Sequence, residues 1–256
     1  MAPTRHKVLI NCDMGEAYGN YACGPDEELV SMIDIANVAC GFHAGDPVVM
    51  ARTVALCKAH GVKIGAHPGL PDVQGFGRRE MKLSAAEHTA NVVYQVGALR
   101  AFVEREGLEL HHVKPHGVLY GLMARDAGVA RAVWAGVAGP GPTRRVFGLA
   151  GTAMETAARE AGLEFWAEHY GDAKYRADGS LVIDARKQAW RPDDVRAHVR
   201  QQLFEGSVTA VTGEVVARPT GEYPVSVCCH SDSPGCGEII RAAREVVDEF
   251  NASRGL

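Results

Sequence analysis

The feature that most constrains this chain is an alternation, repeated from end to end, of short apolar segments with longer stretches of helical period. Lys7–Cys12, Ile35–Cys40, Val62–Ala66, Leu110–Lys114, Val146–Ala150, Leu163–Ala167 and Val225–Cys229 read as strands. Between them Ser84–Glu106 reads as a helix: Ser84 and Glu87 make a capping box, Val92, Val96, Leu99 and Val103 share one face, and Gly107 follows. Asp46-Pro47 opens another helix, with Met50, Val54 and Cys57 as its buried stripe and Gly61 as its stop. Thr152 with Glu155 reads as a second capping box. Pro192-Asp193 opens a segment phased on Val195, Val199 and Leu203, and Ser233-Pro234 precedes a final helix.

Repeated βα order implies a parallel sheet with crossover helices. Seven units suit a closed or nearly closed α/β barrel, with an open doubly wound sheet as the alternative. Of 256 residues, 46% are apolar and 23% charged, enough for one large core, so a single domain over residues 1–256 is expected. Gly139–Pro142 reads as a Gly/Pro loop, and Tyr175–Val182, carrying Asp178-Gly179 between short runs, as a hairpin inserted in the barrel.

In parallel α/β folds ligands bind outside the carboxyl ends of the strands, so the residues that follow each apolar run carry the functional information. The first run leads into Asn11, Asp13 and Glu16, the second into His43 and Asp46, the third into His67. The fourth leads into Lys114 and His116, the sixth into Glu168 and His169, the seventh into His230 and Asp232. Any one of these could simply satisfy a loop carbonyl or cap a helix, and Asp46 before Pro47 is the strongest case for capping. Acids and histidines gathered on one rim point instead to an active site that hydrolyses a small molecule.

Other classes are excluded by composition. The formal charge of −4, from 27 basic and 31 acidic residues, leaves no basic footprint for nucleic acid or an anionic membrane surface. No apolar run approaches the roughly 18 residues of a membrane span, and a cytoplasmic location is expected. The seven cysteines include no Cys-x-x-Cys pair and read as reduced thiols. Neither a P-loop nor a dinucleotide fingerprint occurs, so any nucleotide is handled otherwise or by another chain.

The blocks NCDMGEAYGNY, NVACGFHAGDP, IGAHPGLPDVQGFGRREM, YQVGALRAF, HVKPHGVLY and CHSDSPG, in this order along nearly the whole chain, resemble the LamB/YcsF family, which includes the A-type subunit of ATP-dependent 5-oxoprolinase. The resemblance implies a distorted seven-stranded βα barrel of the glycoside hydrolase and deacetylase type. It also implies a role, with two partner subunits and ATP consumed by the complex, in opening the lactam 5-oxoproline to L-glutamate. Carried over by motif, Asp13, Glu16, Lys114, His116, His43 and His67 become the catalytic candidates. Asn11, Asp46, Arg78, Glu168, His230 and Asp232 become the substrate-binding ones. On this reading Asp13 or Glu16 is general base, Lys114 and His116 stabilise charge on oxygen, and His43, His67 and His230 orient water or protonate the leaving nitrogen. One alternative is a deacetylase-like hydrolase with a divalent metal on Asp13, His43 and His67. Another is a non-catalytic subunit that only binds a small acid.

The chain departs from the family pattern twice. Where A-D-R-x-Y is usual it has Gly171, Asp172, Ala173, Lys174 and Tyr175, and where H-G-D-T is usual it has His230, Ser231, Asp232 and Ser233. Loss of a guanidinium at Ala173 removes a bidentate donor and opens the possibility of a related lactam as substrate.

Overall fold

The computed structural model describes residues 6–139, 143–218 and 223–256. Residues 140–142, which hold most of the expected Gly/Pro loop, lie outside the described residues. Parallel strands β1 (Leu9–Met14), β2 (Ile35–Ala39), β3 (Lys63–His67), β4 (His112–Val113), β5 (Arg145–Gly148) and β6 (Glu164–Tyr170) pair in sequence order. Two further strands, β7 (Ser207–Thr209) and β8 (Val215–Ala217), form an antiparallel ribbon apart from them, and β9 (Val225–Cys229) pairs with both β6 and β1 to close the barrel. Closure rules out the open sheet.

A short α1 (Asp26–Leu29) precedes β2. The longer helices α2 (Pro47–His60), α3 (Ala85–Arg105), α4 (Gly117–Arg125), α5 (Ala127–Ala135), α6 (Ala153–Glu160), α7 (Pro192–Arg200) and α8 (Cys236–Ser253) lie between and after the strands. The expected start signals act as read. Asp46 accepts from the Val48 and Val49 amides, Gly61 ends α2 in the left-handed region, and Ser84 and Glu87 form the full reciprocal capping box. Thr152 differs: it accepts from Met154 N–H, but Glu155 reaches back to the Gly151 amide, so the second box is half built.

The hairpin is present, with Tyr175 bridged to Leu181 and the Gly179 amide donating to the Arg176 carbonyl. The β7–β8 ribbon and the helices α4 and α5 were not anticipated. The ribbon strands have three residues each, too few for a period-2 signal. Strand β6 also runs further than expected, to Tyr170, so successive side chains take opposite faces. Glu168 meets Lys114 in the barrel interior, whereas His169 is buried elsewhere with neither ring nitrogen hydrogen-bonded.

A polar layer lies beneath the rim formed by the carboxyl ends of the strands. Asn37, in register with Asp13, donates to Asn11 Oδ1 at 2.7 Å and to Asp13 Oδ1 at 2.8 Å, while its own Oδ1 faces His112 Nε2 at 2.7 Å. Gly65, in register with both Asn37 and His112, makes room for that imidazole, since a Cβ there would stand 2.0 Å from His112 Cε1. Every polar atom of Asn37 is therefore used, as burial requires.

Candidate active site

Asp13 leaves β1 on the barrel floor and is held from two sides. Its Oδ1 accepts from Lys114 Nζ at 2.8 Å, and its Oδ2 stands 3.2 Å from His67 Nε2. Burial works to raise the Asp13 pKa, but His67 and Lys114 outweigh it and hold the carboxyl well below its usual range. Lys114 also lies 3.4 Å from Glu168 Oε1 and 2.9 Å from Cys228 Sγ. Burial opposes its charge, yet Asp13 leads the neighbours that keep the ammonium protonated.

Beside this pair the imidazoles of His43, His67 and His116 are packed together. His43 stacks flat on His116 with centroids 3.8 Å apart, and His67 meets His116 edge-on. His67 Nδ1 is 2.7 Å from the Lys114 carbonyl, and His116 Nε2 is 2.8 Å from the Phe76 carbonyl. Phe76 sits at φ 56°, a strained conformation for a bulky residue, and this turn is what aims its carbonyl at His116. Gly77, at φ 63°, follows it closely enough that a Cβ would stand 2.9 Å from His116 Cδ2. Burial depresses the pKa values of both His43 and His116, so they are neutral at physiological pH. Glu16 faces His43 Nε2 at 3.2 Å and is pushed the other way, its pKa raised first by burial and then by Asp13 and Asp232.

These groups back a narrow cavity of about 30 Å³, enough to hold ordered water. Asp13, His67, Lys114, His116, Arg78 and His230 line it, so the structure brings together six of the expected site residues. The others stand back from it. Glu16 and His43 lie behind the His116 ring. Glu168 is locked between Lys114 and the Tyr170 hydroxyl, and Asp232 pairs with Arg78 at 2.6 Å. Two expected substrate contacts are corrected: Asn11 belongs to the buried polar layer, bonded to Asn37 and Ser226, and Asp46 caps α2 while accepting from the Gly19 amide. Of the two departures, Ala173 does line the cavity, but the exposed Lys174 does not replace the missing cation. Ser231 packs against Gly24, whose missing side chain accommodates it.

Several site residues escaped the sequence reading. Asp172 is fully buried; its Oδ1 lies 2.7 Å from His230 Nδ1 and its Oδ2 accepts from Ser233 Oγ. His230 Nε2 then points back toward Asp13 Oδ2, 3.8 Å away. Burial works to raise the Asp172 pKa, but His230, Lys187 and Ser233 push it well below the normal carboxylate range. Lys187, carried in after the hairpin, places its ammonium 3.1 Å from His230 Nδ1 and supplies the cation that Lys174 does not. Tyr120 and Tyr170 form a wall, with the Tyr120 hydroxyl buried and unpartnered. A carboxylate just past β6 was the available signal for Asp172; nothing local pointed to Lys187.

Fold and site together define a closed parallel βα-barrel with an acid, lysine and histidine centre at the carboxyl ends of its strands. The LamB/YcsF family model matches residues 8–254, and the chain belongs to that family. It is 63% identical over 256 residues to the lactam utilization protein lamB of Emericella nidulans, covering all of both chains. It is 43% identical over 251 residues to the 5-oxoprolinase A-type subunit of Symbiobacterium thermophilum, covering 97% of this chain and 95% of that one. The crystal structure of the lactam utilization protein from Thermus thermophilus superimposes with a TM-score of 0.84 at 42% identity, over 95% of this chain and 96% of that one.

Proposed function

We propose that this chain is the lactam-opening subunit of a cytoplasmic, ATP-consuming hydrolase, acting on 5-oxoproline or a related lactam to give L-glutamate or the corresponding amino acid. Two partner subunits supply the ATP chemistry, in keeping with the lack of any phosphate-binding fingerprint in this sequence. The observation that carries the reading is the Asp13–Lys114 pair exposed to a small cavity opposite His230, itself clamped by Asp172. The names of the relatives supply the lactam. Among the described residues no helix is long and apolar enough to cross a membrane.

A lactam is a resonance-stabilised amide, and phosphorylating its oxygen makes the carbonyl carbon electrophilic. Of the two candidate bases, Asp13 lines the cavity and Glu16 does not, so Asp13 is the carboxylate that orients the attacking water and takes its proton. Lys114, an ammonium fixed at 2.8 Å from Asp13, stabilises charge developing on oxygen. The Asp172 contact places a proton on His230 Nδ1, leaving Nε2 to exchange protons with Asp13 and the departing ring nitrogen.

The test is glutamate release from 5-oxoproline by the complete complex, with and without ATP, followed by a panel of other lactams. Asp13→Asn keeps the shape but not the basicity and is expected to abolish turnover in a folded chain. Near-wild-type turnover by that variant would remove Asp13 from the base role. Turnover of another lactam in place of 5-oxoproline would move the substrate and leave the site intact.

A further inference from the structure

Glu16, His43, His67 and His116 each place one ligand atom within 4.8 Å of the others at the back of the cavity. A carbonyl oxygen only accepts, so the 2.7 Å contact of His67 Nδ1 with the Lys114 carbonyl and the 2.8 Å contact of His116 Nε2 with the Phe76 carbonyl put the protons on those nitrogens. A neutral imidazole carries one N–H. With both rings neutral, His67 Nε2 and His116 Nδ1 are bare lone pairs, and they face each other at 2.9 Å. Asp13 Oδ2, 3.2 Å from His67 Nε2, and Glu16 Oε1, 3.4 Å from His116 Nδ1, add two further acceptors.

Buried acceptors this close repel one another unless positive charge lies between them. The Lys114 ammonium does not fill that role, because it bonds the other oxygen of Asp13. A tetrahedral ion with ligand bonds of 2.0–2.1 Å holds its donors about 3.3 Å apart. The separations of 2.9 Å from His116 Nδ1 to His67 Nε2 and 3.4 Å from His116 Nδ1 to Glu16 Oε1 bracket that value.

We propose that Glu16, His67 and His116 form a site for one divalent transition-metal ion of the zinc, cobalt or manganese class. Nitrogen and carboxylate donors suit these ions. The two backbone carbonyls act as the outer partners that fix each ligating imidazole. The strained Phe76 has its use here, since its carbonyl sets the His116 tautomer. This ligand set differs from Asp13, His43 and His67. The His43 ring lies flat against His116, with Nε2 at 3.2 Å from Glu16 Oε1, and so orients the carboxylate rather than joining the ion.

Metal binding is measured without substrate or partner subunits, so it stands or falls apart from the lactam reading. The full-length chain is dialysed against chelator, and zinc chloride is titrated in against a chromophoric competitor. One equivalent per chain is expected, together with a rise in thermal midpoint. His67→Gln and His116→Gln each remove a ligand and are expected to weaken binding by more than about 100-fold, beyond the effect of losing an outer partner. His60→Gln, at an exposed histidine, is expected to leave the affinity unchanged. Glu16→Gln keeps size and fold while removing the charge, and weaker zinc binding by that folded variant gives a second reading. Failure of the folded wild type to take up stoichiometric zinc would overturn the proposal and leave a shared proton between the two nitrogens. Undiminished uptake by the folded glutamine variants would do the same.

Discussion

Replacing Lys114 by Met isolates the electrostatic core of the site, because the side chain keeps its length and apolar stem while the ammonium disappears. The ammonium is buried, 2.8 Å from Asp13 and 3.4 Å from Glu168, so its loss leaves those two carboxylates without their shared cation. Breaking a buried pair from one side costs about 3–5 kcal/mol. For a chain of this size each kcal/mol moves the thermal midpoint by about 2–4 °C, so a fall of roughly 6–20 °C is expected. The pH dependence identifies the cause. In the wild type the depressed Asp13 pKa contributes stability above its unfolded value, which is lost only as pH falls through the folded value. Without Lys114, burial acts with less opposition to raise that pKa, so the native state binds a proton more readily and the deficit shrinks as pH falls. Circular-dichroism melts of chelator-treated wild type and Lys114→Met at pH 8 and pH 5.5 measure both effects. A midpoint change below about 2 °C would show that the pair is not held as described. An equal deficit at the two pH values would assign the loss to packing.

Asp172→Asn removes the carboxylate that fixes His230 and is expected to lower kcat by about 10²-fold or more with KM little changed, measured by steady-state product release in the complete complex. Gly77→Ala forces a side chain into a backbone at φ 63° and against His116, and is expected to cost about 1–3 kcal/mol in urea denaturation. Asp26, whose pKa is raised to about 6 by burial, binds its proton more tightly folded than unfolded. Its contribution is complete below the unfolded pKa and is lost as pH rises through about 6, so Asp26→Asn is expected to flatten the stability profile between about pH 4 and 6 in melts across that range.

The barrel was legible because each strand is an apolar run bounded by a helix start or stop. Even β4, only His112–Val113 in the structure, was marked by the longer run around it. The rim was legible for the same reason: a strand end fixes where the next polar side chain points, which is how Asp13, His67, Lys114, His116 and His230 were found. Asn37 and His112 were missed because they lie inside the runs, where a period of apolar residues hides them, although a polar side chain in a buried strand is the more informative observation. Lys187 was out of reach on principle, since its approach to His230 depends on the path of the chain after the hairpin, and no local pattern encodes that path. Asn11 and Asp46 show the opposite error. Position after a strand places a residue near the rim, but a free helix amide or a neighbouring Asn claims its oxygen first.

The buried polar layer explains why the rim can hold so much charge in so small a volume. Asp13 is bonded from below by Asn37 and from one side by Lys114, and it faces His67, whose own ring is pinned by a backbone carbonyl. His116 is pinned in the same way through Phe76, and His230 through Asp172. Each of these groups therefore has one polar atom spent on position and one turned toward the cavity or its neighbours. That division holds the ion pairs of Asp13 with Lys114 and of Asp172 with His230 in fixed places. It also restricts where specificity can change: the pinned groups cannot be altered without losing the site, whereas Ala173 and Lys187 line the cavity without serving the Asp13 framework, so differences in lactam preference within the family are expected to map to them.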